Sequence, residues 1–425
     1  MNKKIINYLS LISFLIFPFF LFKVFSPNEM DSFWNYSSAI NLVEYKSYFD
    51  LFFLPENKAI GLNLFKYIPT FFISLIYKLN GHQYTTIILS NYLWLISLFA
   101  SLFFFLKFEF KLSFKEILYL SIIFILMEPL FRGIISLRAE SISIIFTLFS
   151  LTLLKCRRFL LLAGFFSILS IESHITGIIG LVFCLMRLFI LNFSFKSKLI
   201  FLIGSFLGVL LYLYLHPIFF SFVWVDDLIN ERSVLDSHSP FYSYFWLSNF
   251  KRHLPELFLI FFSLFYIHRI KKINFNYKNE YFIQLVFSIV ILELLNKGSY
   301  LYVVWFFLPF YLYLYQYSKK ILILFFIFYL ISYIASFFYN HSYNHYQLSK
   351  KLRELTDSKT VILGPHAAVM GVYDPKNFIY LDGKVPGLID YNFSKNKILV
   401  VTKDNNEKIE LIEKYGHFNI GWLIN

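Results

Sequence analysis

The feature that most restricts this chain is a succession of apolar runs, each close to the thickness of a lipid bilayer. A hydrocarbon core of roughly 30 Å needs about 20 apolar residues per helix. Runs near 5–25, 83–106, 115–135, 139–154, 159–173, 175–191, 199–222, 254–268, 281–295, 301–317 and 321–339 approach that length. They predict an α-helical polytopic membrane protein of about eleven spans. Composition agrees, because 58% hydrophobic against 15% charged residues, with mean hydropathy +0.61, does not describe a water-facing globular surface. The wealth of Phe, Tyr, Lys, Asn and Ile suits AT-rich bacterial coding, which lowers the information in any single Phe or Lys.

A net charge of +13 would suggest nucleic acid in a soluble protein. Here the cations fall in short clusters between apolar runs, where cytoplasmic loops collect them, and no nucleic-acid site is needed. The two cysteines, Cys156 beside basic residues and Cys184 inside an apolar run, suggest neither a disulfide framework nor a metal site. Lys3 and Lys4 precede a first run too long for a signal-peptide core and without a small-residue cleavage site, so it is expected to persist as a helix with a cytoplasmic amino end.

Segment 62–79 is apolar enough to cross, yet it carries Lys66, Pro69 and Lys78. Counting it as a span would place the clusters at 155–158, 196–198, 268–272 and 319–320 outside; an interfacial helix leaves all of them cytoplasmic, as the positive-inside rule requires. The expected location is a bacterial cytoplasmic membrane. With that topology Glu29, Asp31, Glu128, Arg132, Arg138, Glu140, Glu172, His174, Lys297 and the loop 223–251 all fall on the outer side. Charges gathered at one depth of a membrane are costly, about 2.5–3.5 kcal/mol each on insertion scales, and invite a functional reading.

Residues 1–339 are therefore expected to form the membrane module, with 26–82 as a first outer loop bearing juxtamembrane helices. Residues 340–425 have an ordinary soluble composition and predict a small extracytoplasmic α/β domain. Its expected elements are a helix over 346–357, strands near 360–364, 378–382 and 397–402, a helix near 406–415 and a last strand near 418–423.

Each polar group has a chemical and a plain reading. Glu29 and Asp31 lie just past the first run, where one can act as general base on an acceptor hydroxyl while the other orients it; equally, they can cap a helix beginning near Phe33. Arg138, with Arg132 and Glu128 before it and Glu140 after it, can grip a phosphate through its fork, or simply neutralise Glu140. Glu172 and His174 form a turn between closely spaced runs, and His174 can donate to a phosphate or be an interfacial polar residue. Lys297 is a phosphate counter-ion or a snorkelling lysine. The mixed charges and aromatics of 223–251 suit a sugar or a solvated loop, and His366 has only a local role.

In order, these features resemble the GT-C superfamily of polyprenyl-phosphate-sugar-dependent glycosyltransferases, which includes protein O-mannosyltransferases and lipid A aminoarabinose transferases. The resemblance is carried by EMDSFWNYSSA at 29–39, IPTFFISLIYKLNG at 68–81, LRAE at 137–140, SHITG at 173–177 and the basic, aromatic run 297–309. The family's adjacent acidic pair appears here as Glu29-Met30-Asp31; spacing to Ala39 favours Asp31 as base, with Glu29 the alternative. The resemblance implies a helical fold around an outer-facing cavity and transfer of a sugar from a polyprenyl-phosphate donor to a glycan, lipid or protein hydroxyl or amine. It further implies Asp31 and Glu29 as catalytic acids, Arg138, Lys297, Arg132 and His174 on the donor phosphate, and Glu140 and Glu172 in support. No cofactor is required; a divalent cation is compatible, although no ligand cluster marks a site. The rival readings are an O-antigen polymerase, a lipid-linked glycan transporter, and a membrane scaffold without catalysis.

Overall fold

The computed structural model describes residues 30–44, 46, 66–110, 112–126, 130, 133, 138–216, 254–270, 279–294, 304–318, 321, 323–325, 327–331, 345–373, 378–380, 397–402, 409–415 and 418–423. Its helices are α1 (Met30–Glu44), α2 (Tyr67–Asn80), α3 (Tyr84–Phe110), α4 (Phe114–Ile125), α5 (Ala139–Cys156), α6 (Leu160–Ser173), α7 (Ile178–Ile190), α8 (Phe195–Leu215), α9 (Leu254–Ile270), α10 (Glu280–Leu294), α11 (Val304–Tyr317) and α12 (His345–Leu355). By length and composition α3, α5 and α8 could each cross a membrane. The shorter apolar helices, Leu160–Ser173, Ile175–Ile190 and Glu280–Leu292, fall below that length. Among the described residues the tally is thus three rather than the expected eleven. The expected run 5–25 and parts of those at 115–135, 199–222, 301–317 and 321–339 lie outside the described residues. Of the runs within them, several are helices shorter than the roughly 20 residues a bilayer asks for.

Local chemistry explains several of these boundaries. Ser113 opens α4 with a capping box: its hydroxyl accepts from the Glu116 N–H, and the Glu116 carboxylate accepts from the Ser113 N–H. The α5 helix stops at Arg157, which adopts a left-handed conformation (φ 55°) and stacks its guanidinium over the Phe193 ring. Helices α6 and α8 then run in backbone contact. A Cβ on Gly164 would lie 2.0 Å from the Phe201 carbonyl oxygen, and one on Gly204 only 1.9 Å from that of Leu161. Small residues at such a seam let helices approach where burial of apolar surface supplies little drive.

Helix α11 is the buried pole of the bundle, with Trp305, Phe307, Phe310, Tyr311, Tyr313 and Leu314 all inaccessible. Helix α8 is the opposite case: Leu199, Leu202, Phe206, Leu210 and Tyr214 face outward. Their spacing of three and four residues marks one continuous apolar face, a surface better solvated by hydrocarbon than by water.

Charged residues mark the two ends of the bundle. Glu140, Glu172, His174 and His216 meet at one end, while Glu109, Lys155, Arg187 and Glu280 meet at the other. Between them α5, 18 residues long, rises about 27 Å. Helix α2 starts against Glu172, and the chain turns at Gly81 straight into α3, whose far end carries Glu109 to Arg187. Thus α2 lies across the Glu140 end and does not run through the bundle.

The C-terminal unit is α12 packed beside a five-stranded sheet, β1 (Val361–Gly364), β2 (Phe378–Tyr380), β3 (Ile398–Thr402), β4 (Ile409–Tyr415) and β5 (Phe418–Leu423), in the order β2-β1-β3-β5-β4. The first three strands are parallel, and β5 is antiparallel to both β3 and β4. One expectation is overturned here: 406–415 was expected to be helical, and Ile409–Tyr415 is a strand. Apolar positions 409, 411, 412 and 415 satisfy either period, and pairing decides between them, from Ile409 with Leu423 to Tyr415 with Phe418. A register shift between Leu411 and Glu413 admits the extra residue.

This unit is fastened to the α1 and α2 layer. The Arg353 guanidinium donates to the backbone oxygens of His82 (2.6 Å) and Met370 (2.9 Å). Because a carbonyl only accepts, the 2.9 Å contact of His82 Nε2 with the Val369 oxygen puts the ring proton on Nε2. Nδ1 then accepts from the Tyr36 hydroxyl at 3.4 Å. Burial, reinforced by nearby Tyr77, pushes the Tyr36 phenol well above its ordinary range and keeps it a donor.

Candidate functional site

The site grows from the first turn of α5. Arg138 is the extended residue before the helix, and its N–H donates to the Gly133 oxygen at 2.7 Å. Glu140 sits in the first turn, where the helix dipole favours an anion. The Arg138 fork closes on it: Nη2 donates to Oε1 at 2.6 Å and Nε to Oε2 at 3.3 Å. His174 Nε2 lies 3.7 Å from the same Oε1, too far for a hydrogen bond. Lys66, from the start of α2, adds a further cation within electrostatic reach of Glu140.

Glu172 does a different job. Its Oε1 accepts from the N–H groups of Tyr67 (2.6 Å) and Ile68 (3.2 Å), the unsatisfied donors at the start of α2. Lys66, which precedes them with φ 76°, supplies no side-chain cap of its own, so a carboxylate 105 residues away does so. The Lys66 N–H also donates to the Glu172 backbone oxygen at 2.7 Å. His216, at the end of α8, completes the arrangement with Nε2 3.2 Å from Oε1. Both side chains are buried. Among the described residues the second carboxylate oxygen, Oε2, is buried without a hydrogen-bond partner.

Four sequence-level candidates, Arg138, Glu140, Glu172 and His174, therefore gather at one end of the bundle. Asp31 lies in the first turn of α1, which begins at Met30 rather than near Phe33; its side chain lies outside the described residues. Glu29, Arg132, Lys297, Glu128 and the loop 223–251 also lie outside them, as does the His366 side chain.

Sequence reasoning left out Lys66, Thr176, His216 and Trp305 as site residues. Trp305 Nε1 donates to Thr176 Oγ1 at 3.0 Å, which joins α11 to the turn bearing His174. One signal was present for His216, a histidine closing an apolar run just before Pro217.

The far end of the bundle was missed as a cluster. Arg187 is fully buried, with Nε 2.6 Å from Glu280 Oε1 and Nη2 3.0 Å from Glu109 Oε1. Nη1 reaches the Leu151 oxygen at 3.4 Å, and Gln284 donates to Glu280 at 3.0 Å. Two acids and a carbonyl thus enclose one guanidinium.

At the Glu140 end the parts suit an anionic ligand: a partly accessible guanidinium whose fork already holds a carboxylate, a neighbouring ammonium, and an imidazole. A phosphate has the geometry to take over the fork that Glu140 now fills. Comparison of the chain with protein-family models, curated proteins and solved structures finds no match.

Proposed function

We propose that the chain is a multi-span membrane glycosyltransferase that moves a sugar from a polyprenyl-phosphate donor to an acceptor hydroxyl or amine on the outer side of the cytoplasmic membrane. The observation that carries the reading is the meeting of Arg138, Glu140, His174 and Lys66, drawn from α5, the α6–α7 turn and the start of α2, at a single end of an apolar bundle. Charged groups at such a depth call for a use. The helix bearing Asp31 packs on α2 at that same end.

The chemistry divides between acids and cations. Asp31, aided by Glu29, takes the acceptor's proton as its oxygen or nitrogen attacks the anomeric carbon. The bond from that carbon to the phosphate oxygen breaks, and the electron pair leaves on the phosphate. Phosphate needs charge stabilisation more than protonation, which Arg138, Lys66, Lys297, Arg132 and His174 would supply. Glu140 keeps the Arg138 fork oriented for a two-oxygen anionic ligand while the donor is absent.

In this reading α3 and its neighbours cross the bilayer, the Arg187 end is cytoplasmic, and the Glu140 end and C-terminal unit face out. About eleven spans are proposed, with the amino terminus cytoplasmic. The test is transfer from a radiolabelled polyprenyl-phosphate sugar by the purified protein in nanodiscs. Asp31→Asn should abolish transfer, and Arg138→Ala should weaken donor use at least about tenfold, as loss of a charge-assisted pair would. Unchanged transfer in a correctly inserted Asp31→Asn protein would overturn the reading. The partly exposed native thiol Cys156 tests topology, since an impermeant maleimide should label it in inverted vesicles and spare it in intact cells.

A further inference from the structure

His174 contributes one nitrogen to the Glu140 end and turns the other away from it, and that second nitrogen decides what the first can do. Nδ1 accepts from the backbone N–H of Thr176 at 3.2 Å, so the ring itself caps the turn that leads into α7. A backbone N–H is only ever a donor, and a proton on Nδ1 would set two donors face to face. The Thr176 hydroxyl lies 2.8 Å from the same nitrogen. Its oxygen receives the indole N–H of Trp305 at 3.0 Å, and with Nδ1 bare the hydroxyl is the donor to the ring. Trp305 and Thr176 are both fully buried, so water does not compete for these bonds.

We infer that Thr176 and Trp305 are positioning residues for His174, a relay running indole N–H to hydroxyl to Nδ1 that holds the imidazole proton on Nε2 and aims it at the Arg138–Glu140 pair. The outer nitrogen of a neutral histidine carries whatever the inner one does not. An Nε2–H directed at the Glu140 end is a donor suited to a phosphoryl oxygen, whereas the opposite tautomer would present a lone pair and repel it. The ligand assigned to that donor rests on the glycosyl-transfer reading; the tautomer does not. Trp305 belongs to α11 and Thr176 to the turn before α7, so the relay also ties the orientation of the ring to the packing of a distant helix.

The experiment uses the full chain in nanodiscs with 15N-labelled histidine. The His174 signals are assigned as those lost in His174→Gln. The expected spectrum has a bare Nδ1 and a protonated Nε2. Thr176→Val, which keeps the backbone donor and removes the hydroxyl, should move the Nδ1 resonance; Thr176→Ser should restore it, and Trp305→Phe should move it less. A proton on Nδ1 in the wild-type protein, or a His174 signal indifferent to Thr176→Val, overturns the relay, and the wild-type spectrum alone decides the tautomer if a variant fails to fold. A short-chain polyprenyl phosphate is then titrated in. The Nε2 resonance should shift, with apparent affinity roughly tenfold weaker in Thr176→Val and recovered in Thr176→Ser, the scale of one misdirected bond to a charged group. An Nε2–H tautomer that ignores the polyprenyl phosphate leaves the relay standing and removes the donor-phosphate reading.

Discussion

Each end of the bundle is built around an arginine and glutamate pair, and the two pairs are not alike. Arg187 shows 1% of its side chain to solvent and is held by Glu109, Glu280 and a backbone oxygen from α5. Arg138 shows 15% and leans on Glu140, two residues on in the first turn of α5. The first ties α3, α7 and α10 together; the second could release its partner without separating any helices. Burial and the sequence distance of the partner thus distinguish an interhelical clamp from a local pair at a helix start, where residue type alone cannot.

The largest effect expected from that contrast is at the clamp. Arg187→Leu takes the shared guanidinium from the half-buried Glu109 and Glu280 and leaves only Lys155, 3.7 Å from Glu109, as a counter-charge, which should cost up to about 3–5 kcal/mol. It should appear as a collapse in monodisperse yield and in the thermal midpoint in detergent. Arg138→Ala should leave both nearly unchanged while impairing transfer. Equal destabilisation by the two substitutions would break the comparison.

A smaller effect probes the other acid at the Glu140 end. Glu172→Gln keeps the shape and weakens the acceptor that caps α2, at about 1 kcal/mol. Hydrogen exchange should quicken at Tyr67 and Ile68, with little change in α3. Uniform exchange across the whole bundle would assign Glu172 to the core and not to the cap.

The smallest is in the C-terminal unit, where the Thr360 hydroxyl and the Lys359 N–H hold the Asp357 carboxyl below its usual range. A folded value beneath the unfolded one means that the stabilisation is present at neutral pH and is lost as pH falls through the depressed folded value. Asp357→Asn should flatten the acid limb of that unit's stability slightly, and carboxyl NMR titration reads the depression directly.

Much of the helical scaffold was legible before folding. The run at 83–106 became Tyr84–Phe110, and 139–154 became Ala139–Cys156, because length and apolar content are local properties that any window of the chain displays. The strands at 361–364, 398–402 and 418–423 carried the same kind of local signal. The strand at 409–415 did not, since its apolar spacing fits two periods and only its neighbour β5 selects one. The candidate site was half legible: Arg138, Glu140, Glu172 and His174 stood out as polar groups beside apolar runs, while nothing local assigned Lys66, Thr176, His216 or Trp305 a place in the site.

What the amino-acid order determined alone was where most of the described helices and strands form, 409–415 excepted, and that charges collect at their ends. Only tertiary structure decided who meets whom: Glu172 with the first turn of α2, Arg187 with Glu109 and Glu280, Trp305 with the threonine behind His174. The physical reason is range. Periodicity and hydropathy act over a few neighbouring residues, whereas a buried charge or a capping carboxylate takes its partner from whichever segment packing brings within 3 Å or so, however far along the chain it lies.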